Sequence, residues 1–302
     1  MHSFSDALAV ATGFLAAFGM TVVAPAPDQT DLPLPLPIPP RISIDDSYTA
    51  QSALIADLGG SWRTAERSTD KRRAIASITK VMTGFLALET LSEGTPIVFS
   101  QKAAETSGEA GDFRAGEVFA LRDALYALML SSSNGMATAI AETVGERLGG
   151  RTFDEKIERF VALMNKKAYQ LGMHDTLYRN PTGIDVADGE PSNFSSVNDL
   201  LKLVQASMKT PILWEPSRER RKIIASFGHH KHSLINKNTL TSHIINFVGS
   251  KTGTTKASGE SVIIIYEIFL GRPQVLILLG ADSNRRIDEA SSLLLRTGGM
   301  LL

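Results

Sequence analysis

The sequence contains no cysteine, which excludes disulfides and every cysteine-based redox or metal site. It has no excess of either charge: 31 Lys and Arg stand against 32 Asp and Glu, for a formal net charge of -1. A nucleic-acid partner calls for a basic excess to neutralise phosphates, so no such partner is expected. No internal repeat is present, which sets aside solenoids and propellers. What remains is a chain of 302 residues with 43% hydrophobic residues, ample for a sizeable core.

Charge is also missing locally. Residues 7–26 carry no charged side chain and hold Leu8, Val10, Phe14, Leu15, Phe18, Met20, Val22 and Val23. The stretch reads as a signal-peptide core or an uncleaved membrane anchor, with a buried core helix as the structural alternative. Against cleavage, no Lys or Arg precedes it, Asp6 is acidic, and Pro27 follows the small residues Ala24 to Ala26. Either exporting reading puts the rest of the chain outside the cytoplasm, in the periplasm or an equivalent space, with possible anchoring through residues 7–26. Residues 27–47 read as a Pro-rich linker. Within it Leu32 to Pro40 alternates apolar residues with prolines, a semi-rigid polyproline II spacer; a ligand for a proline-reading domain is the lesser reading.

The remainder, 48–302, reads as one domain. Ser52 to Leu58 is an apolar run ending at Gly59-Gly60, a strand and turn, and residues 61–66 return as a second strand. Helices are expected over Ser77–Leu91, Arg122–Leu130, Met136–Leu148, Asp154–Leu171 (stopped by Gly172) and Val197–Met208. Strands follow over Lys222–Phe227, Gly249–Thr254, Ser261–Phe269 and Gln274–Leu279, the last two almost continuously apolar as buried strands are. Arg286 to Leu295 closes as an amphipathic helix. Strands at both ends with helices between imply an α+β fold. Its antiparallel sheet is assembled from distant segments, and a helical lobe is inserted into it.

Three short strings carry chemistry: Ser77-Ile-Thr-Lys80, Ser132-Ser-Asn134 and Lys251-Thr-Gly253. Each alone is weak, and the chain holds decoys. Ser68-Thr-Asp-Lys71 matches the first pattern and Ser196-Val-Asn198 the second. Ser68 lies in a polar stretch that reads as a turn. Ser77 instead precedes Ile78, Val81, Met82 and Phe85, a core-facing stripe, and Lys80 falls one turn away on its face. A serine hydroxyl needs a base within hydrogen-bond reach, and Lys80 serves only when neutral. Burial and a nearby like charge would lower its pKa, with Lys251 as the candidate charge. Asn134 can hold Lys80 through its amide oxygen and a substrate peptide through its nitrogen. Ser132 can pass a proton to a leaving amine, although helix capping is the structural alternative for Ser132 and Asn134. Lys251 and Thr252 can bind a carboxylate, and Gly253 lets the strand approach a ligand backbone.

Taken together and in this order, the three strings resemble those of the penicillin-binding protein and serine β-lactamase superfamily. Within it the chain looks most like the D-alanyl-D-alanine carboxypeptidases and endopeptidases of low molecular mass. Ala76 to Thr83 resembles the family's nucleophile helix, and Leu130 to Glu142 its second motif and following helix. Asn180-Pro-Thr-Gly-Ile-Asp185 resembles a loop of the peptidase branch, Ser195 to Leu200 the opening of the next helix, and Gly249 to Thr254 the third-motif strand. The resemblance spans about 48–302 and implies the β-lactamase/DD-peptidase-like fold, with the active site between two lobes. It implies cleavage of D-Ala-D-Ala bonds in peptidoglycan stem peptides through an acyl-enzyme on Ser77, β-lactams as covalent inhibitors, and no cofactor. It also implies an oxyanion hole from the N–H groups of Ser77 and Thr254, the latter joining Lys251, Thr252 and Gly253 as substrate contacts. Two departures bear on detail. Gly135-Met136 follows the second motif where an acid and an alanine are common. No Glu-x-x-Leu-Asn lies between the second and third motifs, which argues against efficient antibiotic hydrolysis. The chain ends without the extra C-terminal domain of some relatives, which leans toward endopeptidases. A serine β-lactamase and a catalytically inactive wall-binding protein are the rival readings.

His229, His230 and His232 invite a metal reading, but neighbouring strand positions face opposite ways and no acidic partner is near in sequence. A polar hairpin tip is expected there, and no metal site. Glu105, Glu109 and Asp112 form an acidic loop that either rims the cleft or is a solvated turn.

Overall fold

A computed structural model describes residues 41–108, 111–186, 189–244, 246–269 and 271–299. The apolar run 7–26 and the prolines to residue 40 lie outside the described residues. Among those described, no helix is long and apolar enough to cross a membrane.

The strands are β1 (Ser52–Asp57), β2 (Arg63–Arg67), β3 (Arg73–Ala74), β4 (Pro96–Val98), β5 (Val118–Ala120), β6 (Phe194–Ser195), β7 (Arg221–Ala225), β8 (Lys231–Ile235), β9 (Phe247–Thr255), β10 (Gly259–Phe269) and β11 (Arg272–Ala281). The helices are α1 (Lys80–Thr90), α2 (Gln101–Ala104), α3 (Leu121–Tyr126), α4 (Asn134–Arg147), α5 (Phe153–Gln170), α6 (Val197–Ser207) and α7 (Arg286–Arg296). A five-stranded antiparallel sheet runs in the order β2-β1-β11-β10-β9. Its first two strands come from before the helices and its last three from after them, as the sequence implies. The helices α1 to α6 form the inserted lobe.

The near-continuous apolar composition of β10 and β11 follows from burial on both faces. Leu54, Ile263, Ile265, Val275, Ile277 and Leu279 face the helical lobe and join one core. Their alternates Ile55, Val262, Ile264, Leu276 and Leu278 pack under Leu293 and Leu294 of α7. Glu289 of α7 is buried and accepts from Thr49 N–H at 2.7 Å and Ala50 N–H at 3.0 Å, which fixes that helix to the entry of β1. Residues 41–47, expected in the linker, already belong to this arrangement. Ile42 N–H donates to Thr64 O at 2.8 Å, and Ile42 and Ile44 pack on the second core.

Two short elements differ from expectation. Ser77 does not begin an α-helix; it sits in a 3₁₀ turn, Ala76–Thr79, and α1 starts at Lys80. The helix expected over 122–130 is α3 followed by a wider π-helical turn, Ala127–Ser131, which ends at Ser132 in the left-handed region with φ 64°. The decoys resolve as turn and cap. Ser68 has φ 45° and its carbonyl accepts from Lys71 N–H, while Ser196 caps α6 by accepting from Asp199 N–H.

Candidate active site

The 3₁₀ turn is tighter than an α-helical one, so residues three apart eclipse. This brings Lys80 Nζ to 2.8 Å from Ser77 Oγ. Lys80 is fully buried, and its nitrogen also lies 2.7 Å from Asn134 Oδ1 and 2.8 Å from Thr182 O. The partner sequence reasoning missed is Thr182, because a backbone carbonyl leaves no mark in side-chain identity. The 180–185 loop was visible as a motif; its contact was not. Asn180 Oδ1 accepts from Thr182 N–H at 3.1 Å and Gly183 N–H at 2.7 Å, curling the loop. Gly183 has φ +83°, and a Cβ there would lie 1.9 Å from Ala76 O, so only glycine permits this approach.

The second motif divides its labour in a way the sequence left open. Ser133, not Ser132 or Asn134, caps α4 by accepting from Met136 N–H at 2.9 Å. Ser132 is thereby left in its left-handed conformation, facing Lys251, whose Nζ donates to Ser132 Oγ at 2.9 Å and to Thr252 O at 2.7 Å. Asn134 holds Lys80 as expected through Oδ1. Its nitrogen, expected to bind a substrate peptide, instead donates to Ser107 O at 2.9 Å and Gly108 O at 2.8 Å. Both contacts run to the 107–108 loop, which the sequence reading did not foresee.

The third strand passes beside the nucleophile. A Cβ on Gly253 would lie 3.0 Å from Ile75 O and 3.2 Å from Ser77 N, so glycine keeps β9 against the Ser77 turn. Asp185 accepts from Thr255 Oγ1 at 2.9 Å and Ala257 N–H at 3.2 Å, joining the 180–185 loop to the end of β9. Arg286 donates to Thr254 Oγ1 at 2.8 Å and Gly253 O at 3.3 Å. Ser77, Ser132, Asn134, Thr252, Gly253 and Thr254 share a cleft of about 630 Å³, which Lys237 and Arg286 also line. Sequence reasoning named neither cation, since both lie outside the three motifs and reach the cleft only through the fold.

The two lysines are coupled through their charges. Burial pushes the Lys251 ammonium well below its usual value, with the charge of Lys80 the second cause and Arg286 and Lys237 further ones. The coupling expected between the two lysines is seen from the Lys251 side, where the charge of Lys80 lowers it. Both side chains are enclosed, Lys251 at 1% and Lys80 at 0% exposure, and each has oxygens close around its nitrogen.

The histidines are divided. His229 occupies a turn with φ 63°, and exposed His230 donates from Nδ1 to Glu117 at 3.0 Å. His232, expected at a polar tip, is buried in β8 between the rings of Phe113 and Phe119. Its Nδ1 lies 2.7 Å from Asp112 Oδ1 and its Nε2 3.1 Å from Glu117 Oε1. The acidic partners are far away in sequence and the fold supplies them. Asp112 is thus tied down by His232, which also holds its carboxyl below the usual range. Glu105 lies exposed beside Lys102, and Glu109 is outside the described residues. Among the described residues, no group of three or more His, Cys, Asp and Glu is arranged to hold a metal ion.

Comparison with known proteins agrees with this geometry. The family described as D-alanyl-D-alanine carboxypeptidase matches residues 40–282. A D-alanyl-D-alanine endopeptidase of Pseudomonas aeruginosa is 31% identical, covering 85% of this chain and 77% of that protein. One from Escherichia coli is 30% identical, covering 76% of this chain and 71% of its own length. The crystal structure of a D-alanyl-D-alanine carboxypeptidase from Mycobacterium tuberculosis superimposes with a TM-score of 0.72 at 25% identity, over 86% of this chain and 95% of that one. The sheet with its inserted helical lobe and the matched length lead to one conclusion: the chain belongs to the D-alanyl-D-alanine carboxypeptidase family of serine peptidases.

Proposed function

We propose that this chain is an extracytoplasmic DD-endopeptidase that opens D-Ala cross-links between peptidoglycan stem peptides through an acyl-enzyme on Ser77. The observation that carries the reading is the pair of contacts on one cleft, Lys80 to Ser77 and Lys251 to Ser132. The endopeptidase choice is supported by the two relatives so named at 31% and 30% identity. Export is supported by the apolar run 7–26, which would also serve as an anchor if retained.

A neutral Lys80 has two N–H groups and one lone pair. Donating to Asn134 Oδ1 and Thr182 O leaves the lone pair toward Ser77, the arrangement a general base requires. A substrate carboxylate arriving at Thr252 and Lys251 favours the charged form of Lys251. Repulsion between the two ammonium groups then favours neutral Lys80, so substrate binding itself readies the base. Ser77 Oγ attacks the D-Ala carbonyl as its proton passes to Lys80. The oxyanion forms against the N–H groups of Ser77 and Thr254, where one such donor is worth about 3–4 kcal/mol. Ser132 relays a proton to the departing amine, and water then hydrolyses the ester. A β-lactam enters the same path but stalls as the acyl-enzyme.

The test pairs two substrates and one inhibitor. Purified protein is expected to split a cross-linked dimeric muropeptide into monomers and to form a stable benzylpenicillin adduct seen by mass spectrometry. Loss of D-Ala from a pentapeptide with no action on the dimer would overturn the endopeptidase reading. Rapid antibiotic turnover would point to a lactamase, and no adduct to a wall-binding protein.

A further inference from the structure

The charge balance of the chain conceals one basic protrusion. Between Pro216 and Ile235 the sequence holds Arg218, Arg220, Arg221, Lys222 and Lys231 and a single carboxylate, Glu219, which Lys222 engages at 2.9 Å, in a chain whose net charge is -1. Strands β7 and β8 form a two-stranded hairpin separate from the main sheet. The inward positions Ile224, His232 and Leu234 are buried. The alternate positions point outward, and there Ile223 is 59% and Ile235 64% exposed. The register pairs Ile223 with Ser233 and Arg221 with Ile235, which makes the two isoleucines diagonal neighbours on one face. Phe227, at the turn, is 56% exposed although its N–H is braced on Val118 O at 2.8 Å. Large apolar side chains therefore stand in water on a rigid element, interleaved with cations.

This combination selects the partner. An acidic polymer would satisfy the cations and gain nothing from Ile223, Phe227 and Ile235. An anionic lipid bilayer offers both a negative headgroup layer and an acyl boundary beneath it. We propose that the outward face of the β7–β8 hairpin docks on an anionic membrane surface. Lys237, two residues beyond Ile235, lines the catalytic cleft, so docking holds the cleft mouth near the bilayer.

The test must read the hairpin itself, because an apolar N-terminal run would bind vesicles of any charge. The full chain carrying Phe227→Trp is mixed with vesicles of phosphatidylcholine alone or with one third phosphatidylglycerol, each also containing brominated lipid. The introduced indole is expected to be quenched only in the anionic vesicles, and less so in high salt. Adding Arg221→Glu and Lys231→Glu should weaken the lipid dependence at least tenfold, since each cation contributes about fivefold. Adding Ile223→Ser and Ile235→Ser should also reduce quenching, with penicillin labelling of Ser77 retained as the folding control. No quenching in any vesicle, quenching indifferent to lipid charge, or binding only to a soluble acidic wall polymer would each overturn the proposal.

Discussion

Gly183→Ala is the most direct perturbation of the Lys80 environment that leaves every catalytic side chain in place. With φ at +83°, an alanine costs about 1–2 kcal/mol in backbone strain alone. Its Cβ would also stand 1.9 Å from Ala76 O and 2.9 Å from Thr79 Oγ1, so the 180–185 loop must move outward by about an ångström to restore van der Waals contact. That displacement takes Thr182 O away from Lys80 Nζ, now 2.8 Å distant. A hydrogen bond to a chargeable group is worth about 1.5–3 kcal/mol, which corresponds to acylation slowed roughly ten- to a hundredfold. The stability loss, about 2–4 kcal/mol with the clash included, predicts a Tm lower by roughly 5–15 °C. The assays are stopped-flow acylation by a chromogenic β-lactam and thermal unfolding of the same preparation. Asn180→Ala removes the acceptor that curls the loop without adding bulk, and is expected to give an intermediate loss of rate. A lowered Tm with wild-type acylation would show that Thr182 O does not tune Lys80. An unchanged Tm and rate would show that the loop does not press on Ala76 at all.

Ser77→Ala should abolish penicillin labelling, whereas Ser68→Ala should leave it intact; labelling that survives the first substitution moves the nucleophile elsewhere. Gly253→Ala, with its Cβ 3.2 Å from Ser77 N, should slow acylation about a hundredfold by crowding one oxyanion donor, and rates within twofold of wild type would remove that donor from the mechanism. For Lys251 the sign follows from its lowered pKa. Between its lowered folded value and its unfolded value of 10.5 the unfolded chain binds the proton and the folded one does not, so this group makes stability rise with pH across that window. Lys251→Met should flatten that rise, by at most about 1.4 kcal/mol per pH unit, while abolishing hydrolysis. Thermal unfolding between pH 6 and pH 10 with the same slope in both proteins would mean Lys251 is charged when buried.

The sequence alone determined the order of the main helices and of the five strands of the large sheet, the inserted helical lobe, and the three motifs; it did not mark the short strands β3 to β6 and β8 or the short helix α2. These features are written in local signals: apolar periodicity, glycine stops and side-chain types at short spacing. It also separated Ser77 from the decoy Ser68, because a core-facing stripe follows only the first. Tertiary structure decided what depends on contacts between distant segments. It assigned the cap of α4 to Ser133 and left Ser132 to Lys251; three adjacent polar residues look alike until the chain turns at φ 64°. It supplied Thr182 O to Lys80, gave the Asn134 amide nitrogen to the carbonyls of Ser107 and Gly108, and brought Arg286 and Lys237 to the cleft. It set His232 between Asp112 and Glu117, over a hundred positions away along the chain. And it enclosed Lys251 so that burial lowers its pKa, because desolvation depends on how completely a side chain is enclosed, and enclosure is a property of the packed fold and not of any short stretch of sequence.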